Sequence, residues 1–133
     1  MAIQFSATVR NARLDAIETA IGTSAVLKIR SGSVPATVAT ADSGTVLATL
    51  NLPSDWMAGA SGGTKALSGT WQDTSADATG TAAHFRIYAS DGTTAHIQGT
   101  VGTSGADLNV DSTSFTSGQS FTITSFTLTD GNA

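Results

Sequence analysis

The stretch AAHFRIYASDGTTAHIQGTV, residues 82–101, decides the fold class. Ala83, Phe85, Ile87 and Ala89 alternate with His84, Arg86 and Tyr88, and after the turn Ala95, Ile97, Gly99 and Val101 alternate with His96, Gln98 and Thr100. Alternation at period two marks a strand with one covered face, and two such runs flanking Asp-Gly predict a hairpin. Both apolar sets reach the same side only if the loop holds an odd number of residues, because a one-residue slip reverses every side chain. A three-residue loop, Ser90-Asp91-Gly92, with Gly92 left-handed, meets that condition. The resulting register sets Phe85 opposite Ile97, Arg86 opposite His96 and His84 opposite Gln98. His84, Arg86 and His96 then lie on the polar face, toward solvent or a subunit contact.

Outward from this hairpin, the same period recurs. Ala25, Leu27 and Ile29 alternate with Val26, Lys28 and Arg30, giving a strand with a basic face. Val46, Ala48, Leu50 and Leu52 repeat the pattern as far as Pro53, with a small-residue loop, SGSVPATVATADSG, between the two runs. Leu67 and Trp71 share a face of a further strand, and Leu108 and Val110 belong to another. Near the end, Phe121 and Ile123 have one parity and Phe126 and Leu128 the other. A bulge at Thr124–Ser125 would return both pairs to one face. Seven or so short strands between Gly/Ser/Asp turns predict a mainly β protein, an antiparallel β-sandwich or jelly roll.

One segment has helical spacing. Leu14, Ile17 and Ile21 predict a short N-terminal α-helix over about residues 8–21, stopped by Gly22, with Asp15 and Glu18 facing away from the sheet. Residues 1–7 read as an N-terminal arm, and residues 8–133 as a single β-rich domain. Ile3 and Phe5 fall outside the regular elements, as an arm laid over a neighbour or as a terminal strand of the chain's own sheet.

Composition narrows the chemistry. More than half of the 133 residues are Ser, Thr, Gly or Ala; there are two His and no Cys. Proton transfer and nucleophilic attack at neutral pH draw mostly on His, Cys, Lys and clustered carboxylates, which are scarce and scattered here. Six Lys plus Arg against ten Asp plus Glu leave no basic patch to displace counterions from nucleic acid. No apolar run approaches the length of a membrane span, and the N-terminus lacks the basic-then-apolar pattern of a secretory leader, so a soluble product made in the cytoplasm is expected.

Apparent motifs fail at named positions. Gly59-Ala60-Ser61-Gly62-Gly63 has the nucleophile-elbow spacing but not the strand before it or the helix after it. The same segment departs from a phosphate loop at Thr64 and Ala66. Asp107, Asn109 and Asp111 begin like a calcium loop, but Ser112 stands where the turn glycine belongs and Gly118 where the bidentate Glu belongs. The expectation is a non-enzyme with no cofactor and no metal. Trp56 and Trp71 read as core anchors or as interface hot spots. Ile3, Phe5, Trp56, Trp71, His84, Arg86 and His96 are therefore the candidate partner contacts. Trp56, Trp71 or Tyr88 would be the stacking rings of a carbohydrate-binding alternative.

Several stretches resemble a family of small virion-associated proteins of tailed bacteriophages and prophages. They are VRNARLDAIETAIGTSAVLKIRSG (9–32), DSGTVLATLNLPSDWM (42–57), TGTAAHFRIYASDGTTAHIQGTVGTSGADLNVD (79–111) and SFTITSFTLT (120–129). The resemblance implies a structural component of the virion present in many copies. Within that class the reading is a capsid decoration or cement protein, with a tail, fibre or baseplate module as the alternative. Expected partners are the major capsid protein or other virion proteins and further copies of the chain, as a dimer or trimer. The resemblance brings no functional residues with it.

Overall fold

A computed structural model describes residues 3–133. One helix, α1 (Ala7–Ile21), precedes eleven strands: β1 (Val26–Arg30), β2 (Val46–Asn51), β3 (Thr64–Ala66), β4 (Trp71–Asp73), β5 (Gly80–Thr81), β6 (His84–Tyr88), β7 (Ala95–Gly102), β8 (Leu108–Asn109), β9 (Ser114–Phe115), β10 (Phe121–Ile123) and β11 (Thr127–Thr129). The protein is mainly β and sandwich-like, with one helix, N-terminal, among the described residues. Among the described residues no helix is long and apolar enough to cross a membrane.

The principal sheet has the order β2-β1-β6-β7-β8, antiparallel except for the last pair. Its strands obey the predicted parity except at the start of β2, where a bulge buries Leu47 in the core and leaves Val46 half-buried. Leu27 and Ile29 of β1, Ala48 and Leu50 of β2, and Phe85 and Ile87 of β6 turn to the core. Across the core stand three short ladders, β4–β10, β3–β11 and β5–β9. Aromatic rings join the layers: Trp56 lies 6.0 Å from Trp71, Trp71 5.5 Å from Phe126, and Phe126 meets Phe85 of the principal sheet edge-on at 5.7 Å. Tilted and edge-on pairs at these separations are favoured by the ring quadrupoles.

The hairpin at residues 84–102 corrects the predicted register while keeping its parity. Ala89 and Thr94 are hydrogen-bonded, so the loop holds four residues, with Gly92 at φ 69°. His96 is then an extra residue: Tyr88 pairs with Ala95 and Ile87 with Ile97. Four loop residues plus one bulge residue are odd in sum, like the three expected, so Phe85 and Ile87 still share a face with Ile97 and Gly99. Phe85 stands opposite Gly99, Arg86 opposite Gln98 and His84 opposite Thr100. Asp91 sets the longer turn by accepting the Thr93 and Thr94 N–H groups.

The predicted bulge near Thr124–Ser125 is replaced by a change of partner. β10 pairs with β4, the chain breaks step at 124–126, and β11 pairs with β3. Phe121, Ile123 and Phe126 are all buried by this route. The expected strand through Leu67 and Trp71 is likewise two strands, and it is Lys65 that β3 buries.

The helix begins one residue earlier than expected, where Ser6 Oγ accepts the Val9 N–H at 3.2 Å, and ends at Gly22. Leu14 and Ile21 are buried and Ile17 packs beside the core. Asp15 and Glu18 correct the reading that placed them away from the sheet. Both reach Lys65 of β3, at 2.8 and 3.0 Å, and their other oxygens or lone pairs take the N–H groups of Ala60 and Met57. Asn11 accepts from Gly63, which with Gly62 forms a two-residue hairpin turn, both at positive φ. A glycine pair suits such a turn because both residues are left-handed.

Candidate functional site

The principal sheet has a second, polar face, and the segment 31–45 crosses it as a strap. By strand parity Lys28 and Arg30 of β1, His84, Arg86 and Tyr88 of β6, and Gln98 of β7 point to this side. Two of the chain's six cationic residues, Arg30 and Arg86, are thus collected under one loop, while Lys28 donates to the Gly92 carbonyl at 3.0 Å. The basic face of β1 foreseen in the sequence exists, but its Arg30 is covered and its Lys28 half-buried.

Asp42 is the strap's one acidic residue and the centre of the arrangement. One carboxylate oxygen meets Arg86 Nη1 at 2.7 Å and the Tyr88 hydroxyl at 2.8 Å; the other meets Arg30 Nη2 at 2.9 Å. Arg30 Nε also donates to the Tyr88 oxygen at 3.2 Å. Burial alone would push the Asp42 carboxyl up. The Tyr88 hydroxyl and the two guanidiniums outweigh it and hold it below the ordinary carboxylate range. Tyr88 moves the opposite way, raised first by burial and then by its bond to Asp42.

The rest of the strap is held by its main chain. Arg86 Nη2 donates to the carbonyls of Thr37 and Thr40, Gln98 Nε2 to that of Pro35, and Arg30 Nη1 to that of Ser43. Gln98 Oε1 takes Arg86 Nε at 3.1 Å and shares Nη2, at 2.9 Å, with the Thr37 and Thr40 carbonyls. His84 Nδ1 lies 2.9 Å from the Gly32 carbonyl and donates to it; its Nε2 is buried without a partner among the described residues. At the neck, Ser31 and Thr45 bond to each other. Gly44, at φ 70°, leaves no room for a side chain, since a Cβ there would fall 1.8 Å from the Ser31 oxygen.

Chemically this is a carboxylate receptor made of two guanidiniums and a phenol, already filled by the chain itself. Such charge-assisted pairs are the strong ones, and they fix loop geometry. Among the described residues no three His, Asp or Glu side chains are grouped to hold a metal ion.

The seven candidate contacts are dispersed. Trp56 and Trp71 are wholly buried, their indole N–H groups donating to main-chain oxygens of Gly22, Trp56 and Ser68. They serve the core and offer no ring to a partner. His84 and Arg86, expected toward solvent, are buried because the strap covers their face. His96 is exposed at the bulge, Ile3 is 75% exposed, and Phe5 is half-buried beneath the Arg13 guanidinium. Sequence reasoning missed Asp42, Gln98 and Lys65. The parity of Arg30, His84, Arg86 and Tyr88 was the available signal, and a lone acid in the loop after Arg30 was the clue to their partner.

Compared with models of known protein families, with curated proteins and with solved structures, the chain shows no significant match in any of the three.

Proposed function

We propose that this protein is a non-enzymatic structural component of a phage particle, a capsid decoration or cement protein that binds the head surface and bridges its subunits. One observation carries the reading: the chain commits its reactive side chains to its own fold. Arg30, Arg86 and Tyr88 close on Asp42, Lys65 closes on Asp15 and Glu18, and both tryptophans lie in the core. What remains outward is dominated by small and hydroxyl residues of low charge, a surface suited to packing among copies without strong self-repulsion. The likeness of residues 9–32, 42–57, 79–111 and 120–129 to phage virion proteins supports the same role.

A tail, fibre or baseplate module is the second reading, supported by that same likeness. The carbohydrate-binding alternative gains nothing, because Trp56, Trp71 and Tyr88 have no exposed face for a sugar ring. The deciding experiment is fractionation of phage particles. The protein is expected on tail-less heads, and deleting its gene is expected to lower head stability to heat or chelator. Its absence from tail-less heads, together with presence in tails, would transfer it to the second reading.

A further inference from the structure

Among the described residues, His84 Nε2 is the one buried side-chain nitrogen or oxygen left without a hydrogen-bond partner. The ring has no exposed surface, and its Nδ1–H is spent on the Gly32 carbonyl of the strap. The groups around it have no acceptor to spare. On β1, Arg30 pairs directly with His84, and Lys28 lies two residues along the same face. On β6 that face continues with Arg86 and Tyr88. On β7, Thr100 pairs with His84, but its hydroxyl both donates to the Asp107 carboxylate and accepts the Asp107 N–H. Gln98, beside it, is occupied by Arg86 and Pro35. From the strap comes a single carboxylate, Asp42, whose two oxygens are already taken by Arg30, Arg86 and Tyr88.

The closed strap therefore accommodates the imidazole with one proton and not with two. A proton on Nε2 would be a buried donor without an acceptor, and its charge would set three cations against one carboxylate. Lifting the strap removes both penalties, because water then solvates the imidazolium. We propose that the strap is an acid-released latch: it closes over neutral His84 and opens when the ring takes a second proton, baring Arg30, Arg86 and Tyr88 on the polar face of the sheet. The sign follows from linkage, since the state that binds the extra proton gains as pH falls. A histidine released to water titrates at about pH 6.5, so the latch holds above that value and loosens progressively below it. Asp42 keeps its charge there. Burial pushes its carboxyl up, but the Tyr88 hydroxyl and the guanidiniums hold it below the ordinary carboxylate range.

Hydrogen exchange of the intact chain, corrected for the intrinsic pH dependence of amide exchange, tests this. Between about pH 7.5 and about pH 5.5, protection of the Thr40 and Thr45 amides should fall about tenfold, within the limit of about tenfold per pH unit for one proton. The amides of β1 and β6 should keep theirs, which separates release of the strap from unfolding. His96→Gln should respond like the parent, since His96 is exposed at the bulge. His84→Asn, whose amide nitrogen takes the place of Nδ1, should lose the response. Protection of the strap that is unchanged over this range, or lost equally in His84→Asn, would overturn the inference. If His84→Asn fails to fold, nuclear magnetic resonance of the parent decides: the His84 ring signal and the strap amides should shift with one midpoint, and separate midpoints would overturn it. The latch is independent of where copies assemble, so its failure leaves the particle reading standing.

Discussion

At the scale of single residues, Asp42 and Trp71 carry the sharpest expectations. Removing the Asp42 charge leaves Arg86, 2% exposed, and Arg30 without their anion. Breaking a buried pair costs about 3–5 kcal/mol, but the Asp42 side chain is 37% exposed, so Asp42→Asn should cost about 2 kcal/mol in urea denaturation. The sign of its pH dependence follows from the lowered carboxyl. Stability from this group is present above the ordinary carboxylate pKa, about 4, and is lost as pH falls through the lower folded value. The acid limb of the stability curve should therefore flatten in Asp42→Asn relative to the parent. Asp15, lowered chiefly by its bond to Lys65 and then by the Ala60 N–H, acts in the same direction and keeps some slope in both. Trp71→Ala should cost about 3–5 kcal/mol, the usual penalty for emptying a large aromatic site in a core. An unchanged urea midpoint would contradict the burial described for Trp71.

At the scale of elements, the strap explains what could and could not be read beforehand. The β6 and β7 alternation was legible because strand parity is written in side-chain type. The strap was not, because most of its bonds to the sheet use its own carbonyls, which every residue possesses alike. Arg86, Gln98 and His84 recognise Thr37, Thr40, Pro35 and Gly32 by position, so polar residues that parity assigned to solvent are sealed in. Lys65 was hidden for a related reason. A lysine in a strand reads as exposed until a helix supplies carboxylates, and its partners are some fifty residues away in sequence. The strap also predicts its own weak point. Gly44→Ala places a methyl group against Ser31 at a left-handed backbone position, and should cost about 1–3 kcal/mol. Limited proteolysis should then cut first within residues 33–43, while cleavage elsewhere stays at the parent rate.

At the scale of the whole molecule, the fold closes through pairings of distant segments. β11 joins β3 and β10 joins β4, each across most of the intervening principal sheet. Chains dominated by such non-local pairings fold in about milliseconds to seconds, since loop closure must precede the contacts that reward it. Stopped-flow refolding followed by tryptophan emission should fall in that range; a complete recovery within microseconds would contradict it. The class of fold was readable from alternation and turn spacing. The order of strands was not, because short strands of similar composition give no local signal of which will meet.

The two faces of the principal sheet also differ in their chromophores. Both tryptophans lie on the core side and the chain's single tyrosine lies beneath the strap, tied to Asp42. Selective excitation of indole therefore follows core packing, while the ultraviolet difference spectrum of phenol ionisation follows the opposite face. The natural sequence thus carries two optical reporters, one for each side of the same sheet.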